Sequence, residues 1–128
     1  MEKIQTFQDL IVWKKAHSLT LKIYQLTKSF PPDERFGLTD QMRRAAISIG
    51  SNIAEGYGRG TAKDKIQFYL IAKGSLCELH SQYLIAKDIG YVKEEVIKIE
   101  DFDEVSKLIA GLIKSSPSRP ILNTAYSY

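Results

Sequence analysis

The sequence predicts an all-α fold, an antiparallel up-down-up-down four-helix bundle. Three observations predict it. Four stretches repeat apolar residues at the three-to-four-residue spacing of a helix. No stretch shows the two-residue alternation of a half-buried strand. Breaks rich in Pro and Gly separate the four stretches, leaving the short loops that a simple bundle uses. The chain has 128 residues, of which 44% are hydrophobic and 26% charged. That is enough for one domain with a packed core.

Residues 8–29 read as the first helix, with Leu10, Trp13, Ala16, Leu19, Ile23 and Leu26 at helical spacing. Phe30-Pro31-Pro32 ends it, because a residue before proline is pushed out of the α region. A second helix is expected from an N-cap at Thr39 to about Tyr57. Its main stripe is Leu38, Met42, Ala45, Ile49, Ile53 and Gly56, and Ile47, Gly50 and Ala54 form a second apolar face. From Ala45 to Gly56 the only charge is Glu55. A helix with no charged back is expected to be covered on more than one side. Gly50 in mid-helix costs about 1 kcal/mol against Ala, tolerable if another backbone comes close there.

Gly56-Tyr57-Gly58-Arg59-Gly60 breaks this helix. Its glycines suggest a phosphate-cradling loop, but it follows a helix and lacks the Gly-Lys-Ser/Thr ending of a P-loop. It reads as a C-cap and turn. Thr61 with Asp64 approaches a capping box and opens the third helix, which runs to about Asp88 before Gly90. That helix is apolar on two sides, through Phe68, Ala72 and Leu79 and through Ile66, Leu76 and Tyr83. The fourth, expected from about Lys93 to Lys114, has one stripe: Val96, Ile99, Phe102, Val105, Leu108 and Leu112. Residues 1–115 form the expected bundle domain, and 116–128, with two prolines and no periodicity, a flexible tail whose Ile121 and Leu122 are candidates to dock on a neighbour. The second and third helices carry more apolar face than one core can use. The surplus predicts a homo-oligomer.

A formal charge of +3 and a pI near 8.9 permit an anionic partner without requiring one. The basic excess lies in residues 1–90. A single cysteine, Cys77, excludes an internal disulfide and fits a reducing compartment. The first residues lack the apolar centre of a signal peptide, and no apolar run approaches a membrane span. A cytoplasmic protein with no membrane contact is the expectation.

Metal or thiol chemistry has little to work with. Cys77, His80 and His17 are the whole stock of Cys and His, too few for a zinc or nucleophile site. Glu-Leu-His at 78–80 has the wrong spacing for a di-iron bundle. No cofactor, metal or small-molecule substrate is expected. Glu55 and Glu78 are a candidate acid/base pair. The stronger reading is structural: Ser48, Asn52 and Glu55 form a polar stripe facing Ser75, Glu78 and Gln82 in an interhelical network. Arg43, Arg44, Arg59, Lys63 and Lys65 bracket the second helix and the start of the third. Repeated around an oligomer, they form a positive surface for phosphates, without any base-reading motif.

Three segments carry a family resemblance: Phe7-Gln-Asp-Leu-Ile-Val-Trp-Lys-Lys-Ala16, Gln41 to Gly56, and Phe68 to Leu79. Through them the chain resembles the four-helix-bundle proteins encoded in intervening sequences of bacterial 23S ribosomal RNA genes. Gly50 departs from that pattern, where members often carry proline. The resemblance implies a bundle assembled as a ring, a homopentamer, with no enzymatic activity. It also implies kinship to the accessory variability determinant of diversity-generating retroelements, a basic barrel that binds nucleic acid and partners a reverse transcriptase. RNA, DNA or a nucleic-acid enzyme is accordingly the expected partner, and a protein-interaction scaffold is the alternative.

Overall fold

A computed structural model describes residues 3–116. It contains four helices: α1 (Ile11–Thr27), α2 (Leu38–Tyr57), α3 (Ala62–Asp88) and α4 (Ile99–Lys114). Among the described residues there is no strand. Each helix packs on two others, α1 on α2 and α4, and α3 on α2 and α4. The α2–α3 contact is the most extensive. Their shared core is aliphatic, with Ile23, Met42, Ile49, Ile53, Leu79 and Ile109 wholly buried. From residue 117 on, the expected tail, with Ile121 and Leu122, lies outside the described residues.

Three expected boundaries are corrected, each for a local physical reason. The first helix begins at Ile11, because residues before it form a separate 3-10 turn, Phe7–Asp9. The Asp9 carboxylate accepts from the Gln5 and Thr6 amides, and the Thr6 hydroxyl accepts from the Gln8 amide, so the turn is capped on its own. Those two amide bonds also hold the Asp9 pKa below the ordinary carboxylate value.

α2 starts at Leu38, and Thr39 is not its cap. Instead Glu34 reaches forward, and its Oε1 accepts from the Leu38 amide at 3.1 Å. A carboxylate there also complements the positive end of the helix dipole.

α4 starts at Ile99, about a turn and a half later than the apolar spacing suggests. α3 closes in a Schellman arrangement: Gly90 sits at φ 89°, its amide bonds Lys87 O, and the Tyr91 amide bonds Ala86 O. The chain then runs without helix to Lys98, burying Ile97, whose carbonyl accepts from the Tyr83 hydroxyl at 3.0 Å. Asp101 accepts from the Lys98 amide and starts α4. Val96 and Ile99, expected on the core stripe, are exposed.

Candidate functional site

The structure divides the predicted site residues into a seam between α2 and α3 and a set of cations around its ends. At the centre of the seam the Ser48 and Ser75 hydroxyls lie 2.7 Å apart. Asn52 Nδ2 donates to Ser48 Oγ at 3.0 Å and to the Ser48 carbonyl at 2.8 Å. These bonds let α2 and α3 pass close together with their polar atoms satisfied.

Glu55 does not join them. It is exposed and pairs with Arg59 Nη2 at 2.9 Å, one turn on. Glu78 is exposed too, and accepts from Gln82 Nε2 at 3.4 Å. The two carboxylates proposed as acid and base each have a separate partner on their own side. Gln82 Oε1 is buried with no partner among the described residues.

Nearer the turn, Gly56 makes the close approach. A Cβ there would lie 2.6 Å from Tyr69 Cε1 and 3.1 Å from the Lys65 carbonyl. Tyr69 is buried against it, and burial raises the pKa of its phenol. The position expected to admit another backbone, Gly50, faces the Trp13 indole instead, with Nε1 3.4 Å from an added Cβ.

The cations differ in what they touch. Arg43 Nε donates to Thr27 Oγ1 at 2.8 Å, and its guanidinium lies 4.5 Å over the Tyr24 ring. Lys65 Nζ donates to the Tyr57 carbonyl at 2.7 Å and to Gly56 O at 3.4 Å, satisfying the end of α2. Those two side chains are structural clips. Arg44 has a side chain 79% exposed and among the described residues bonds only Asp40, at 3.0 Å. Arg59 rests on the Phe68 ring, 4.6 Å away, beside its ion pair with Glu55. Lys63 is exposed and makes no ion pair among the described residues.

The histidines and cysteine are not brought together. His17 stacks on Trp13 at 4.7 Å, His80 stacks on Phe102 at 4.3 Å, and Cys77 is exposed. Among the described residues no group of three Cys, His, Asp or Glu could hold a metal. No helix there is long and apolar enough to cross a membrane.

The surplus apolar surface expected on the third helix lies on its outer side. Between Gln67 and Ile85 the outer face of α3 carries Leu70, Gly74, Cys77, Ser81 and Ile85, exposed and uncharged, beside the exposed charges Lys73 and Glu78. Their spacing of three or four residues was the available signal.

Comparison with known proteins decides the family. The model of the 23S rRNA-intervening sequence protein family matches residues 8–111. This chain belongs to that family. A solved structure it resembles is a protein with unknown function from the S23 ribosomal protein family of Bacteroides thetaiotaomicron VPI-5482. The two share 25% identity with a TM-score of 0.73, over 81% of this chain and 96% of the other. Among curated proteins none matches the sequence. For a member of the 23S rRNA-intervening sequence protein family, the seam and its rim are thus the features that need a functional account.

Proposed function

We propose that this chain is a non-catalytic cytoplasmic protein whose copies assemble through the outer faces of α2 and α3. The observation that carries the reading is the α3 face from Leu70 to Ile85. Half-exposed Leu70 and Ile85 stand there with Gly74, Cys77 and Ser81 between them, and Ile71 and Leu84 flank them. A monomer gains nothing by leaving these four aliphatic side chains half in water, whereas a neighbouring copy would bury them. The bundle in this reading is antiparallel and up-down-up-down. Its support is that Gly56 meets Tyr69 while Ser48 meets Ser75, and that Lys15 meets Glu104 while Lys22 meets Asp101. A ring, of the five copies that the family resemblance implies, is the assembly we favour.

Sedimentation of the wild-type chain against Leu70→Glu/Leu84→Glu tests this. Assembly is expected for the first and monomers for the second. A wild-type monomer at every soluble concentration would sink the idea.

A second layer of the reading is charge-driven contact with nucleic acid, favoured by the solvent-facing Arg44, Arg59 and Lys63. Repeated around an assembly, these form the phosphate-facing rim. An RNA titration at falling salt is expected to tighten, and Arg44→Glu/Lys63→Glu to weaken it and flatten its salt slope. Absence of binding at low salt leaves the scaffold reading alone, with a protein as the partner.

A further inference from the structure

The connection between α1 and α2 carries a large, solvent-exposed aromatic. Phe36 is 84% exposed, the most exposed of the large hydrophobics in the described residues. It is not on a loose loop. The Glu34, Arg35 and Gly37 amides bond the Pro31, Pro32 and Glu34 carbonyls, and Glu34 in turn binds the Leu38 amide and the Tyr91 hydroxyl. Arg35 lies against the ring, its guanidinium carbon 5.0 Å from the centroid. A presented aromatic held this firmly loses little freedom on docking.

The molecule also carries an apolar groove of about 350 Å³ between α1 and α2, lined by Phe7, Trp13, His17, Ile47, Gly50 and Ala54. Other grooves on the surface are rimmed by ionised side chains, Lys28 with Lys93 and Glu94 in one, and Lys87 with Glu95 and Glu100 in another. Burying a phenyl ring there would desolvate charges. The α1–α2 groove has none, and its Trp13 and Phe7 rings, 5.2 Å apart, offer aromatic contact. Gly50 keeps its floor open.

Phe36 cannot reach the groove of its own chain. The groove's Gly50 lies twelve helical residues beyond Leu38, about 18 Å along α2 at 1.5 Å per residue. We infer that Phe36 of one copy docks in the Trp13–Gly50 groove of the next. Charge complements the fit. Each side carries one acid and one base, Asp33 and Arg35 around Phe36 and Asp9 and Lys14 around the groove, so two opposite-charge pairs can form across the contact, and none of the four is in an ion pair among the described residues. Knob and groove lie at different places on one chain, so the contact is head-to-tail and generates a ring or filament, not a two-fold pair. The inference rests on the assembly proposed above and names one of its contacts.

Trp13 is the only tryptophan, so its emission reports the groove directly. In the full-length chain, wild-type emission is expected to shift to the blue as concentration drives assembly. Phe36→Asp, at a solvent-facing position, is expected to abolish the shift and to weaken association at least about 10-fold. Gly50→Leu, which fills the groove, is expected to weaken association likewise. Mixing the two variants is expected to restore the Trp13 shift in the Phe36→Asp chain, since that chain keeps its groove and the other its knob. Association of Phe36→Asp with wild-type strength and an unchanged Trp13 shift overturns this contact while leaving self-assembly standing. A wild-type chain that never assembles overturns both.

Discussion

The Tyr91 hydroxyl donates to Glu34 Oε2 at 2.8 Å, tying the α3–α4 connection to the α1–α2 connection. The same carboxylate accepts from the Leu38 amide through its other oxygen. Both bonds favour the ionised carboxyl and lower its pKa, the amide bond contributing most, while Tyr91 is raised chiefly by its bond to Glu34. A depressed folded-state pKa means that the stabilisation is complete above the unfolded value, near 4.5, and is lost as pH falls through the folded one. Asp9, lowered by its own two amide bonds, acts in the same direction. Urea midpoints measured from pH 7 downward are expected to hold to about pH 5 and then fall. Glu34→Gln is expected to start lower at pH 7 and to fall less steeply. An equal acid slope in the variant would assign the loss to other groups.

Two glycines on α2 make opposite predictions for one substitution. At Gly56 a Cβ would press to 2.6 Å on the buried Tyr69 ring, so Gly56→Ala is expected to destabilise by about 2 kcal/mol. At Gly50 the added Cβ sits 3.4 Å from Trp13, ordinary contact, and the helix gains Ala propensity. Gly50→Ala is expected to stabilise by about 0.5–1 kcal/mol. Chemical denaturation of the two single variants checks both signs. Gly56→Ala in a Tyr69→Leu background is expected to cost less than in the wild type, because the tightest contact is with that ring, while the contact with the Lys65 carbonyl remains.

The same pair shows what the sequence can and cannot carry. Periodicity placed Ile49, Ile53, Leu79 and Phe102 correctly in the core, since burial follows helical spacing. The Ser48–Ser75 approach was legible because small polar residues at i and i+4 on a nearly uncharged helix must be satisfied somewhere. Which neighbour each glycine meets, Tyr69 for Gly56 and Trp13 for Gly50, was not legible, since it depends on the rotation of α2 against α1 and α3, a tertiary quantity. The late start of α4 was hidden for a related reason. Val96 and Ile99 continue its spacing, and only the Schellman turn at Gly90 and the burial of Ile97 break it. Likewise a row of cations reads alike in sequence whether its members face solvent, as Arg44 does, or bond backbone, as Lys65 does.

The seam predicts a specific non-additivity. Ser48→Ala removes one of two hydroxyls 2.7 Å apart and takes an acceptor from Asn52, so about 1 kcal/mol of stability is expected to be lost. Ser75→Ala is expected to cost a similar amount. The double variant should lose less than the sum, because no hydroxyl is then left without its partner. Asn52→Leu is expected to lower either thermal stability or the mass of the assembly. If folding and assembly both survive it unchanged, the seam is not what holds α2 on α3, and Asn52 must be assigned another role.

Adjacent arginines on α2 should separate cleanly. Arg43 bonds Thr27 Oγ1 and lies over Tyr24, both on α1, so it joins two helices and covers apolar surface with its stem. Arg44 is solvent-facing and among the described residues bonds only Asp40, on its own helix. An exposed i,i+4 pair contributes about 0.5 kcal/mol or less, whereas a cation–π contact plus an interhelical hydrogen bond contributes about 1–2 kcal/mol. Arg43→Ala is therefore expected to lower stability by about 1–2 kcal/mol, and Arg44→Ala to stay within about 0.5 kcal/mol of wild type. In RNA titrations at low salt the order is expected to reverse once each variant is confirmed folded: Arg44→Ala weakens binding, and Arg43→Ala does not. Equal losses of stability in the two variants would show that Arg43 is not the clip between α1 and α2. Equal losses of binding would restore it to the phosphate-facing rim.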